Sequence, residues 1–458
     1  MSAPRPLRDR TVERLDHRVA EEQHDRRLPS IVAGVVRDGS LAWSTSCGFV
    51  GEGEDEAPPT TDTQYRIGSI TKTMTAVAVM RLRDEGLVDL HAPIATYAPG
   101  SPEGITVQQV LAHSAGLQSE TEGLWWERVP GGDWDDLAPS LTPAAVKHDP
   151  GSRFHYSNLG FGILGEVIAR IRERPWWDVI RDEVLLPLGM DRSTSRPVAP
   201  AAQGYSVHPY AELLLPQPEH DAGALAPAGQ VWCSLQDLAR WTTFLGGDVG
   251  DVLGADTLQE MFAPRSIHDM DEATWTGGMG LGIQVMNIDG TRLVGHGGSM
   301  PGFIAMVWVE PDTGLGVTFA TNTTSGLGPN LFGDLRRILA EEEPPPSVEP
   351  WRPEPATAAH LDLAGTWHWG PRPYVLRITG ADEFDLSPVD RGRTSTFERV
   401  EPDTWVGRDD YYAGETLRVH RDADGVPTHL DLATFIFTRT PYDPDAPIPG
   451  GVDPSGWR

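Results

Sequence analysis

The chain has 458 residues, enough for two folded units, and a formal net charge of −29. That charge excludes the basic footprint a nucleic-acid partner needs. No apolar run reaches the roughly eighteen residues of a membrane span, so no membrane association is expected. The two cysteines, Cys47 and Cys233, are too few for a disulfide scaffold and have no metal-ligand spacing. The expectation is free thiols, with no metal and no cofactor.

In chain order, Met1 to Arg27 is rich in Arg, Asp and Glu and lacks the apolar core of a secretory signal peptide, so a cytoplasmic location is expected. Ile31–Val36 and Leu41–Phe49 read as strands joined by an Asp38-Gly39 hairpin turn. A helix is predicted from Ser69, with Ile70, Met74, Val77 and Ala78 on one face and Gly86 as its cap. Further helices are predicted over Val107–Ala112, Gly160–Arg172, Trp176–Val184 and Leu235–Leu245. Strands return at Gly282–Ile288, Arg292–Gly295, Phe303–Glu310 and Leu315–Thr321. Strands at both ends with helices between predict an α+β domain over 1–340 whose sheet is built from the two ends. Residues 341–356, beginning Glu341-Glu342-Glu343-Pro344, read as a stiff acidic, proline-rich linker.

Beyond it the pattern changes to short alternating segments. These are Gly365–Trp369, Tyr374–Thr379, Phe384–Pro388, Phe397–Val400, Thr404–Gly407, Thr416–His420 and His429–Thr438. They predict a small all-β barrel or sandwich over 357–445, followed by a tail over 446–458.

The positive residues are nearly all arginine; the lysines are Lys72 and Lys147. Arginine keeps its proton in proteins, whereas a buried lysine can lose it and act as a base. Lys72 belongs to Ser69-Ile70-Thr71-Lys72, at the start of the predicted helix. Three residues make nearly one turn, so the hydroxyl and the amine share a face. A serine needs such a base to become a nucleophile. Read alone, this pattern is also that of an ordinary capped helix.

Tyr156-Ser157-Asn158 follows the Asp149-Pro150-Gly151 turn. A phenol beside an ammonium can relay a proton, and Asn158 can hold Lys72 or a substrate amide; a packed tyrosine and a helix cap would look the same. His296-Gly297-Gly298-Ser299 lets backbone or ligand approach closely, and its edge can offer an N–H to an oxyanion together with Ser69 N–H. His113 and the remaining histidines read as structural.

Together and in this order, the three motifs resemble the serine β-lactamase and penicillin-binding family, in its class C and esterase branch. The surroundings agree: Arg66-Ile67-Gly68, Leu111–Leu117, Pro150-Gly151-Ser152-Arg153-Phe154 and Pro187-Leu188-Gly189-Met190. The resemblance covers roughly residues 8–340, and the tail looks like a lipocalin-like barrel appended to some members. It implies an antiparallel sheet flanked by helices plus an all-helical region. It further implies that Ser69 is acylated, Lys72 takes its proton, Tyr156 shuttles protons, Asn158 orients Lys72 and substrate, and Ser69 and Ser299 supply the oxyanion N–H groups. His296, with Gly297 and Gly298, replaces the lysine motif of lactamases and leaves no fixed ammonium for a β-lactam carboxylate.

The acceptor decides the reaction. The favoured expectation is a penicillin-binding-type thioesterase that takes a peptide from a carrier-protein thioester of a peptide synthetase and closes it head to tail. The alternatives are a cytosolic esterase or D-amino-acid peptidase, and a receptor that is acylated without turnover. Trp125, Trp126, Trp134 and Trp232 are expected to line an apolar pocket, with core packing the competing reading of each and the favoured one for Trp232. Glu219 and His220 are expected near the substrate.

Overall fold

The computed structural model describes residues 6–51, 56–269, 274–288, 290–324, 326–328, 330–343 and 350–441. The chain divides into units spanning 1–346 and 347–458.

The first unit is organised by an eight-stranded antiparallel sheet. Its strands are β1 Ser30–Arg37, β2 Ser40–Gly48, β3 Ser266–Ile267, β4 Gly277–Met279, β5 Gln284–Ile288, β6 Thr291–Met300, β7 Phe303–Glu310 and β8 Leu315–Thr321. They lie in the order β2-β1-β8-β7-β6-β5-β4-β3. The two ends of the unit therefore meet at β1 and β8, with Ile31 opposite Thr321. Asp38 and Gly39 turn the first hairpin with φ of 53° and 72°, the left-handed pair that matches strand twist.

β1 reads as an unbroken apolar run because both faces of the sheet are covered. Val32 joins the main core, while Ile31, Ala33 and Val35 join a second core with Leu15, Val19, Leu335 and Leu339. The latter four come from α1 Asp9–Asp25 and a C-terminal helix, Leu331–Glu342. Neither helix stands out in the sequence, since each offers only a narrow apolar stripe among charges. In α1 the buried residues are Thr11, Leu15, Val19 and Glu22, one face at helical spacing. The acidic stretch expected to open the linker instead ends the C-terminal helix and Glu343 follows it. Arginines neutralise it: Arg14 meets Glu341 and Glu342, and Glu343 takes bonds from Arg8 N, Thr11 Oγ1 and Arg37. Residues 344–349 of the expected linker, and the expected tail, lie outside the described residues.

On the sheet's other face, α2 Ile70–Asp84 runs through the core and is buried on almost every side. Gly86 follows it at φ 75°, ending the helix as expected. Packed near it are α3 Asn158–Arg172, α4 Ala226–Gly229 and α5 Leu235–Leu245. The segment expected as one helix over Trp176–Val184 is α-helical to Ile180 and then forms a π-turn over Arg181–Leu185. β6 is longer than expected. Gly297 and Gly298 stay extended and pair with Met306 and Ala305, so the glycines continue the strand rather than ending it.

The second unit is a closed antiparallel barrel of eight strands. They are β9 Gly365–Trp369, β10 Arg372–Gly380, β11 Glu383–Pro388, β12 Ser395–Glu401, β13 Thr404–Gly407, β14 Thr416–Arg421, β15 Pro427–Leu432 and β16 Phe435–Thr438. His368 opposite Thr438 closes it. The single strand expected over His429–Thr438 is two, reversing at Ala433 with φ 57°, a turn without glycine or proline to announce it. Trp367, Phe384, Phe397, Trp405, Leu417 and Phe437 pack into one cluster, so side chains fill the interior.

Because Leu15 is fully buried between α1 and the sheet, Leu15→Ala is expected to destabilise this unit by about 2–5 kcal/mol, read from its urea midpoint.

Candidate active site

Ser69 precedes α2 and makes no capping bond with its side chain, which leaves the hydroxyl available. Lys72 Nζ donates to Ser69 Oγ at 2.9 Å and to Ala228 O at 2.7 Å. Lys72 is fully buried and makes no ion pair among the described residues. Burial pushes its pKa down to about 7, with Glu120 and Glu127 opposing the shift. An amine with that pKa, in contact with a serine hydroxyl, can accept its proton at neutral pH.

Close packing without side chains sets this contact. Gly229 in α4 lies against Gly68 and Met300, which brings the Ala228 carbonyl to Lys72. Gly68, at φ 53°, has its Cβ position 2.5 Å from Ser299 N, and a Cβ on Gly298 would sit 1.9 Å from Ile67 O. β6 therefore abuts the backbone at Ser69, placing Ser69 and Ser299 where two N–H groups can serve one oxyanion.

Tyr156 stands on the other side of Lys72, whose Nζ lies 5.0 Å from the phenol ring centroid. Burial raises the phenol's pKa, a hydrogen bond with Ser69 opposes the rise, and the group remains a proton donor at pH 7. His113 brackets this tyrosine. His155 N donates to His113 O at 2.7 Å, Ser157 N donates to His113 Nδ1 at 3.1 Å, and the imidazole stacks on the phenol at 4.2 Å. Burial first, then Lys72 and His296, hold His113 well below its usual pKa, which keeps Nδ1 an acceptor.

Asn158 differs from expectation in its partner within the protein. Its amide nitrogen donates to Glu120 Oε1 at 2.8 Å, and the Lys72 bonds go instead to Ser69 and Ala228. Glu120 also accepts from Trp126 Nε1 at 2.6 Å, so the buried Trp126 anchors this carboxylate. Trp125 is exposed, bonds Glu127 and carries Arg128 over its ring. Trp134 is partly buried against the core. Trp232 is core, packed on Phe303.

His296 is buried with Nδ1 against Gly297 O, and its ring lies 6.2 Å from that of Tyr156. Burial and Lys72 lower its pKa to about 3, so it is neutral and cannot replace an ammonium. Glu219 is exposed and His220 half-buried. The His220 carbonyl accepts from Gln230, whose Oε1 also receives Arg66 Nη2 and Ala222 N. Glu120 escaped the sequence reading, as did the part played by the Ala228 carbonyl. A backbone carbonyl leaves no trace in residue type, whereas Glu120 was detectable as the acid three residues beyond Leu117. Among the described residues no group of three or more His, Cys, Asp or Glu side chains could hold a metal.

A serine hydroxyl bonded to a buried amine, with a phenol alongside, is a geometry in which the serine can give up its proton. Residues 15–342 match the Beta-lactamase family model, and the chain belongs to that family. Residues 356–439 match a domain of unknown function. The chain is 26% identical over 280 residues to Beta-lactamase-like protein 2 of Dictyostelium discoideum, covering 57% of this chain and 50% of the relative, so it spans half that protein's length. An octameric penicillin-binding protein homologue from Pyrococcus abyssi superposes with a TM-score of 0.64 at 23% identity, over 93% of this chain and 100% of that one. A D-stereospecific amidohydrolase from Streptomyces sp. superposes with a TM-score of 0.58 at 26% identity, over 73% and 97%.

Two outcomes follow from this geometry. Modification of Ser69 by a fluorophosphonate is expected to accelerate with rising pH through a midpoint near 7 and then level, since only neutral Lys72 can take the proton; a flat profile would contradict this. His113→Phe keeps a ring on Tyr156 but removes the acceptor for Ser157 N. It is expected to slow amide cleavage about tenfold or more while sparing aryl esters, whose leaving groups need little proton donation. Equal losses on both would reduce His113 to a packing residue.

Proposed function

We propose that the chain is a serine acyl-enzyme acting on D-configured aminoacyl or peptidyl amides, esters or thioesters that carry a free amine near the scissile carbonyl. The observation that carries this reading is Ser69 Oγ in contact with a buried, uncompensated Lys72 of pKa about 7. Ser69 attacks the carbonyl, Lys72 takes its proton, and the developing oxyanion lies between Ser69 N–H and Ser299 N–H. Tyr156 then protonates the leaving group, and an acyl-serine remains.

The charges around the site support the amine. Glu120 is held by Asn158 and Trp126, Glu127 lies close enough to raise Lys72's pKa, and neutral His296 offers no cation for a carboxylate there. A substrate ammonium is stabilised beside Glu120. The D preference rests on the likeness to the D-stereospecific amidohydrolase. The same acids favour an amine acceptor, which supports a second reading: aminolysis of the acyl-serine by the peptide's own terminus, closing a ring after transfer from a carrier-protein thioester.

The test is turnover of D- and L-aminoacyl amides, aryl esters and linear peptidyl thioesters, with products read by mass spectrometry. Wild type is expected to release free acid, or a product one water lighter, from D substrates. Ser69→Ala is expected to lose about a thousandfold or more. Glu120→Gln is expected to raise KM for free-amine substrates about tenfold and to leave N-acetylated ones little changed. Substantial turnover by Ser69→Ala would refute the mechanism, and equal KM effects on both substrate forms would refute the amine site.

A further inference from the structure

The described structure holds a cavity of about 890 Å³ that reaches Tyr156 without including Ser69. Its walls include Arg153, Phe154, His155, Arg265, His268 and Trp275. Arg153 makes no ion pair among the described residues, and Arg265 pairs loosely with Glu260 at 3.5 Å. Phe154 packs on His268 with centroids 5.0 Å apart. Asp269, the carboxylate in the lining, is tied to Trp275 Nε1 at 2.7 Å.

This chemistry differs from that around Glu120. The wall of Tyr156 shared with the cavity has two arginines and flat rings; the Asn158 side has Glu120, with Glu127 nearby. Tyr156 is part of the cavity lining, so a group bound there lies beside the residue that protonates the leaving group during acylation. We infer that this cavity is a leaving-group subsite for an amino-acid or short-peptide leaving group ending in a free carboxylate, bound by Arg153 and Arg265. A peptide substrate would then lie with its amine toward Glu120 and its carboxylate toward the arginines, which makes the enzyme a peptidase more than a simple amidase. The inference rests on the proposed function for the acyl side and adds the leaving-group side.

In the cleavage step, the bond from Ser69 Oγ to the carbonyl carbon forms and the carbon–nitrogen bond breaks. Tyr156 supplies the proton that leaves the departing amine neutral, and Lys72 returns one to the phenol. Water or an amine later takes the acyl group, restoring Ser69.

The test compares D-Phe-Gly with D-Phe-Gly-amide as substrates for wild type, Arg153→Ala/Arg265→Ala and Arg153→Glu. D-Phe p-nitroanilide reports the acyl-serine chemistry independently of any carboxylate. Wild type is expected to show a KM about fivefold lower for the free acid, in line with partly exposed ion pairs. The double alanine variant should erase that ratio, and Arg153→Glu should invert it in favour of the neutral amide. A wild-type ratio of one, or a ratio unchanged in both variants, overturns the subsite while the anilide still turns over. Failure of all substrates, anilide included, overturns the acyl-side reading on which it stands.

Discussion

The site depends on one ammonium group taken out of water without a counter-ion. Lys72 is surrounded by α2's own buried face, Tyr156, Phe161 and the Ala228 carbonyl, and its charge meets hydrogen bonds and ring faces with no ion pair among the described residues. Burial of that kind disfavours the charged form, so the fold leaves an amine able to accept a proton near neutrality. Glu120 and Glu127 oppose the shift from a distance and keep it moderate. An arginine in the same place would hold its proton, and an ion-paired lysine would keep its pKa high. The near absence of lysine elsewhere in the chain fits a residue retained for its ability to lose a proton.

The close approach of chain segments at Ser69 rests on glycines. Gly68, Gly229 and Gly298 permit three chain segments to meet at Ser69, and a Cβ at Gly68 or Gly298 would overlap backbone atoms. His113 then pins Tyr156 from both neighbouring residues. The eight-stranded sheet, covered on both faces, supplies a rigid edge in β6 for the second N–H donor. The electrostatics are graded across the phenol, acidic near Asn158 and arginine-bearing toward Arg153 and Arg265.

Much of this was legible in the sequence because the chemistry lies in residue types at short spacings. Ser69 with Lys72, and Tyr156 with Asn158, are local patterns, and the strands β7 and β8 have the bounds their alternation predicts. What was not legible depends on contacts across the chain. α1 and the Leu331–Glu342 helix are stabilised by facing each other through salt bridges and a thin apolar stripe, which reads locally as a charged segment. The glycines of β6 look like a strand end until the β7 ladder continues past them. Ala228 acts through its carbonyl, and the partner of Asn158 is set by how Glu120 folds back under Trp126. The turn at Ala433 lacks the residues that usually mark a reversal.

The most direct measurement uses the protein's two lysines. With 13C-labelled lysine, Lys147, which is exposed, provides an internal reference for the resonance of Lys72. Titrated by NMR in the folded Ser69 enzyme, the Lys72 resonance should move with a midpoint near 7. A Lys72 midpoint of about 10, the range of a free lysine, would mean that the ammonium is solvated or paired, and would contradict the account of Lys72 as the base.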